Sequence, residues 1–78
     1  MTCFHHQTQS ANFYYALNDA FIEWIHIDFN TTTPQIYRIN HLNNVPVFVM
    51  GAAKQISSEQ YEQVLISVLE SEPELIVL

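Results

Sequence analysis

A lone cysteine, Cys3, in a chain of 78 residues sets the terms for any fold. It cannot close an internal disulfide, so no covalent staple exists and stability must come from apolar burial. A chain this short forms a single domain, residues 1–78, and buries only about 60–65% of the surface its unfolded form exposes. Hydrophobic residues make up 49% of the sequence, which is enough for a rich core. The charged fraction is 13%, about half the common value of roughly 25%. Much of the exterior is then neutral polar or apolar. That points either to a surface covered by another chain or to a plain preference for neutral polar side chains.

Local patterns give a coarse layout. Residues 1–9 are polar and aperiodic, and read as a flexible tail or a short edge element. Residues 10–17 fit two descriptions. Ser10 can cap a helix with Tyr14, Leu17 and Phe21 on one face, or Phe13, Tyr14 and Tyr15 can form an aromatic strand. Ala11, Ala16 and Ala20 tilt the reading toward the helix. Residues 21–29 alternate as a strand, with Phe21, Ile25, Ile27 and Phe29 on one face, interrupted by Glu23, and Ile22, Trp24, His26 and Asp28 on the other. A turn at 30–34 leads to a strand at 35–40, and residues 45–50 read as a further strand with Pro46 near its start.

Ser57 then opens the clearest helix, 57–71. Ser57 and Gln60 make a capping box, and Tyr61, Val64, Leu65, Val68 and Leu69 form the apolar stripe. Pro73 stops it. Leu75, Ile76, Val77 and Leu78 read as a last strand, apolar on both faces. Such a strand belongs inside a sheet or against another chain, so a homodimer through Leu75 to Leu78 is one expectation. The fold class expected is α+β: a small, mainly antiparallel sheet of three or four strands, one amphipathic helix packed on a face, and an N-terminal helix or hairpin.

Several chemistries are excluded by what is missing. Gly51 is the single glycine, so neither a phosphate-cradling loop nor a dinucleotide fingerprint can be built. No Cys-x-x-Cys or Gly-x-Ser-x-Gly motif occurs. No catalytic residue and no cofactor are expected. Net charge is −6 and the cations are Arg38 and Lys54 alone, too few for counterion release from a phosphate backbone or for an anionic membrane. No signal-peptide pattern opens the sequence and no apolar stretch nears the ~20 residues of a membrane helix, so the cytoplasm is the expected compartment. Asn30-Thr31-Thr32 matches a glycosylation sequon by chance on this reading.

The remaining candidates are contact residues. Glu70, Glu72 and Glu74 crowd the end of the helix, where the dipole and free carbonyls oppose negative charge. A partner with a basic surface would offset that cost, although acidic clusters are often no more than solvated faces. Trp24 and Tyr37 suit interface anchors and equally suit the core of a small domain. His26 beside Trp24 fits a half-buried strand position. Cys3, His5 and His6 are metal-capable, but three neighbours on a tail fall short of a four-ligand site, and no metal is expected.

The stretch from Ile25 to Glu70 resembles the later part of a thioredoxin-like domain. Ile27-Asp28, Val45-Pro46-Val47-Phe48 and the 57–69 helix carry the likeness, and Cys3-Phe4-His5-His6 would stand where that family has its redox motif. Histidine in place of the second cysteine, and a strand after the last helix, depart from the pattern, so the family is not assigned. The expected function is a small, acidic, non-enzymatic binding protein for a basic protein surface, of inhibitor, immunity or nucleic-acid-mimic type. The alternatives are a homo-oligomeric accessory subunit and a degenerate redox or metal-binding protein using Cys3, His5 and His6.

Overall fold

A chain with one glycine cannot rely on glycine to turn its strands, and it uses side chains instead. Thr8 Oγ1 accepts the Ala11 and Ser10 amides at 3.0 and 3.2 Å. Asn18 Oδ1 accepts the Ala20 and Phe21 amides at 2.8 and 2.9 Å. Asp28 Oδ1 accepts the Asn30 amide at 2.7 Å. These short polar side chains mimic a backbone turn without a left-handed residue. They separate four strands joined as a meander: β1 (Thr2–Gln7), β2 (Ala11–Leu17), β3 (Phe21–Asp28) and β4 (Gln35–Asn40).

The computed structural model describes residues 1–40 and 53–78. After the second segment begins, β5 (Lys54–Ile56) pairs antiparallel with β1, α1 (Ser58–Glu70) follows, and β6 (Glu74–Val77) pairs parallel with β4. The described sheet has the order β5-β1-β2-β3-β4-β6. Because β5 and β6 are its opposite edges, the helix between them must cross one face.

The helix is specified locally. Ser57 accepts the Gln60 amide and Gln60 Oε1 accepts the Ser57 amide, closing the capping box. Beneath it, Cys3, Ala16, Ile25 and Ile36 from four adjacent strands pack with Tyr61 and Val68. Tyr14, Ile27, Ile56, Val64 and Leu65 complete the cluster. Ala16 leaves room for the helix to approach. Among the described residues, no helix is long and apolar enough to cross a membrane.

Four expectations need correction or limits. The described sheet has six strands, not three or four. Residues 10–17 hold no helix: Ala11–Leu17 is β2, paired on both sides. The expected tail is β1, anchored by Cys3, which is 1% exposed between Ala16 and Ile56. The strand expected at 45–50 lies outside the described residues.

Candidate functional site

Strand alternation sends one set of side chains toward α1 and the other to the opposite face. On that opposite face the pairing registers line up two rows. The first runs Phe4, Tyr15, Trp24, Tyr37, Ile76 across β1, β2, β3, β4 and β6. The second runs His6, Phe13, His26, Gln35, Glu74 across the same strands. Trp24 and Tyr37 stack at 4.9 Å with 8° between planes. Phe13 stacks on His26 at 4.7 Å and, more loosely, on His6 at 6.1 Å. Tyr15 is buried in this array, and burial pushes its phenol pKa up. The others are half-buried, apart from the exposed Glu74. Cross-strand aromatic pairs stiffen a sheet and present large, rigid contact area.

The two rows are linked at the β4–β6 end. Tyr37 Oη donates to Gln35 Oε1 at 3.0 Å, and Gln35 Nε2 donates to Glu74 Oε2 at 3.4 Å. A stacked indole–phenol pair thus continues through an amide to an exposed carboxylate. Aromatic rings beside a carboxylate attract guanidinium and ammonium groups through cation–π contact and charge-assisted hydrogen bonds.

Glu70 ends α1, Glu72 lies in the turn that delivers Glu74 to β6, and all three are exposed. Ser71 caps the helix and Glu72 has φ 53°, the left-handed conformation that favours glycine. A side chain there costs about 1 kcal/mol, and a carboxylate at the negative end of a helix adds a few tenths. Glu72→Gly is therefore expected to stabilise the domain by about 1 kcal/mol, read as a higher urea midpoint at unchanged m value.

The two cations are directed away from this corner: Arg38 follows Tyr37 on β4 but projects from the opposite face, and Lys54 lies at the far edge. Arg38 Nη2 donates to Glu23 Oε2 at 2.9 Å, with its guanidinium 4.0 Å from the Phe21 ring centre. Lys54 sits on β5, the far edge of the described sheet. Five strand spacings of ~4.8 Å put it roughly 24 Å from β6, well beyond the ~8 Å screening length at physiological salt. Once Glu23 is counted with Arg38, Asp19, Asp28, Glu59, Glu62, Glu70, Glu72 and Glu74 face Lys54 alone.

Under the helix the chemistry is structural. Glu23 is buried at 8% exposure, and its second oxygen accepts the Tyr61 hydroxyl at 2.8 Å. Burial, then the Glu23 hydrogen bond and charge, push the Tyr61 pKa far above the usual phenol range. Burial raises the Cys3 thiol as well, with the N-terminal amine opposing and Glu62 reinforcing the shift. A high-pKa thiol in the core is a poor nucleophile and a poor ligand.

His5 lies flat on Tyr14 at 4.5 Å, with Nε2 2.9 Å from Asn12 Oδ1. These rings floor a groove of about 460 Å³ beside Gln60, Val64 and Ser67, and no carboxylate is among its lining residues. His6 projects from the opposite face to Cys3 and His5, because strand neighbours alternate. Among the described residues no three metal-capable side chains gather.

Of the contact residues read from the sequence, Trp24, Tyr37 and Glu74 come together on one face, and Glu70 and Glu72 lead into it. Gln35 and Phe13 were missed as site residues, and His26 was weighed but read as a half-buried strand residue. The signal that would have found Gln35 is the pairing of β4 with β6, which joins residues 39 apart. The chain matches no described protein family, and no curated protein or solved structure compared with it gives a match.

Proposed function

We propose that this chain is a non-enzymatic binding protein that docks a basic protein surface on the aromatic face and acidic corner of its sheet. The observation that carries the reading is the run Trp24, Tyr37, Gln35, Glu74, with its stack and hydrogen bonds, ending beside Glu70 and Glu72. A partner arginine fits this corner best. Its planar guanidinium stacks on an aromatic face while its fork meets a carboxylate. The two cations of the chain offer no internal competitor, one being held by Glu23 and the other lying at the opposite edge. Inhibitor, immunity and decoy roles share this chemistry, and the cytoplasm is the compartment proposed for it.

The left-handed Glu72 supports the same reading. Stability is given up at a position where glycine would cost nothing, and the carboxylate kept there extends the acidic corner. The test is affinity capture from a native extract at low salt, followed by elution with a salt gradient. Proteins with basic surfaces should be retained, should elute as salt rises, and should be lost when Glu70, Glu72 and Glu74 are all changed to Gln. Retention that ignores salt and survives the triple change would sink the proposal.

A further inference from the structure

We propose that β6 is a pairing edge for a second copy of this chain, joined antiparallel about a two-fold axis at Ile76. The two edges of the described sheet differ sharply. β5 is three residues long and carries Lys54, both of which are common guards against edge-to-edge association. β6 carries neither. Its Leu75 and Val77 are 67% and 76% exposed, and the adjoining Leu78 is 64% exposed.

The backbone says which groups are free to pair. The Glu74 amide donates to the Pro34 carbonyl and the Leu78 amide to the Arg38 carbonyl, both at 2.9 Å. Strand alternation then directs the amides and carbonyls of Leu75 and Val77 away from β4, toward the open edge. In an antiparallel pair, opposed residues that both point inward exchange both hydrogen bonds. Centring the dyad on Ile76 sets Leu75 opposite the Val77 of a second copy and Val77 opposite its Leu75. Every outward donor and acceptor of those two residues then finds a partner, and the same patch serves both copies, as a two-fold interface requires.

Charge fits this occupant too. In this register Glu74 faces Leu78 of the other copy. The two Glu74 residues lie about 13 Å apart along the strands at ~3.4 Å per residue, beyond the ~8 Å screening length. Four paired residues bury less than the ~800 Å² per partner of a standard interface, so a micromolar association is the scale expected. The pairing runs through the β6 backbone, and its test variants, at Leu75 and Val77, lie outside the basic-partner face that Glu74 and Ile76 border.

Sedimentation equilibrium of the whole chain at roughly 100 µM tests it, a concentration that populates a dimer with a Kd on the order of 10 µM. A dimer is expected. Val77→Pro deletes an outward amide and leaves the bonds to β4 in place, and should yield a monomer with unchanged helical circular dichroism. Leu75→Lys should do the same by placing charge at the edge, and decides the matter if the proline variant fails to fold. Ile66→Lys, at an exposed position on α1, should leave the dimer intact. A wild-type monomer at that concentration overturns the proposal, as does a dimer that survives both folded edge variants or is lost equally with Ile66→Lys.

Discussion

Replacing Tyr61 with phenylalanine is expected to lower the unfolding free energy by about 1–3 kcal/mol, although a single oxygen is removed. The reason is Glu23. Its carboxylate is nearly inaccessible and is held on one side by Tyr61 and on the other by Arg38. Arg38 is itself about half exposed, so solvent weakens its share. Without the phenol, a buried carboxylate oxygen is left with neither a hydrogen-bond partner nor access to water. Tyr61→Ala removes the ring as well and should cost about 3–5 kcal/mol. A domain of this length commands only about 4–12 kcal/mol in all, so the alanine change removes a large share of the total.

Alkaline pH should reveal the same site. Tyr61 has its folded pKa raised above the unfolded value. Below the unfolded value of about 10 both states keep the proton, and the stabilisation is complete. As pH rises past that point the unfolded chain releases its proton first, so stability falls with increasing pH. Tyr15 acts in the same direction, and Cys3 begins to act at lower pH because free thiols titrate earlier. Urea midpoints measured from about pH 8 to about pH 11 should decline for the wild type and decline less steeply for Tyr61→Phe.

The second large effect concerns binding. Trp24→Ala is expected to weaken association with a basic partner by about 30-fold or more, the equivalent of a hot-spot loss of ~2 kcal/mol. Trp24 supplies the broadest ring of the face and holds Tyr37 parallel to it. Its loss removes a cation–π surface and frees Tyr37 to turn away from Gln35. Trp24→Phe, which keeps a flat ring, should recover part of the affinity. Changing Glu70, Glu72 and Glu74 to Gln should act differently, flattening the salt dependence as well as reducing affinity. Trp24→Ala should leave the salt dependence largely unchanged. Equal behaviour of the two variants would mean that no aromatic anchor operates.

The parts of the fold legible in the sequence are those with local causes. Ser57, Gln60 and the apolar stripe to Val68 specify α1 within one segment, and the structure has it there. β3 was readable because Ile25 and Ile27 alternate with Trp24 and His26. β2 stayed ambiguous between helix and strand, with the helix preferred, because both of its faces are apolar. Tyr14 and Ala16 face the helix while Phe13 and Tyr15 face away, so alternation left no polar trace, and Tyr14, Leu17 and Phe21 matched a helical spacing by accident. β1 was hidden because its deepest core residue, Cys3, is small, and its strand character comes from Ala16 and Ile56, far away in sequence.

The candidate face was legible as separate residues, not as a surface. Trp24, Tyr37 and Glu74 each carried a chemical reason to be noticed. Their adjacency depends on two registers, Trp24 with Tyr37 and Gln35 with Glu74, and the second crosses the whole helical connection. Gln35 drew no notice because an amide in a strand has no chemical signature until its neighbours are known.

The most direct measurement is a titration of ¹⁵N-labelled protein with a short arginine-rich peptide at low salt, followed by amide and indole chemical shifts. Shifts should concentrate on Trp24, Gln35, Tyr37, Glu72 and Glu74 and should fade as salt is added. Shifts centred on the groove beside His5 and Gln60, or none at any peptide concentration, would contradict a basic-partner face on this sheet.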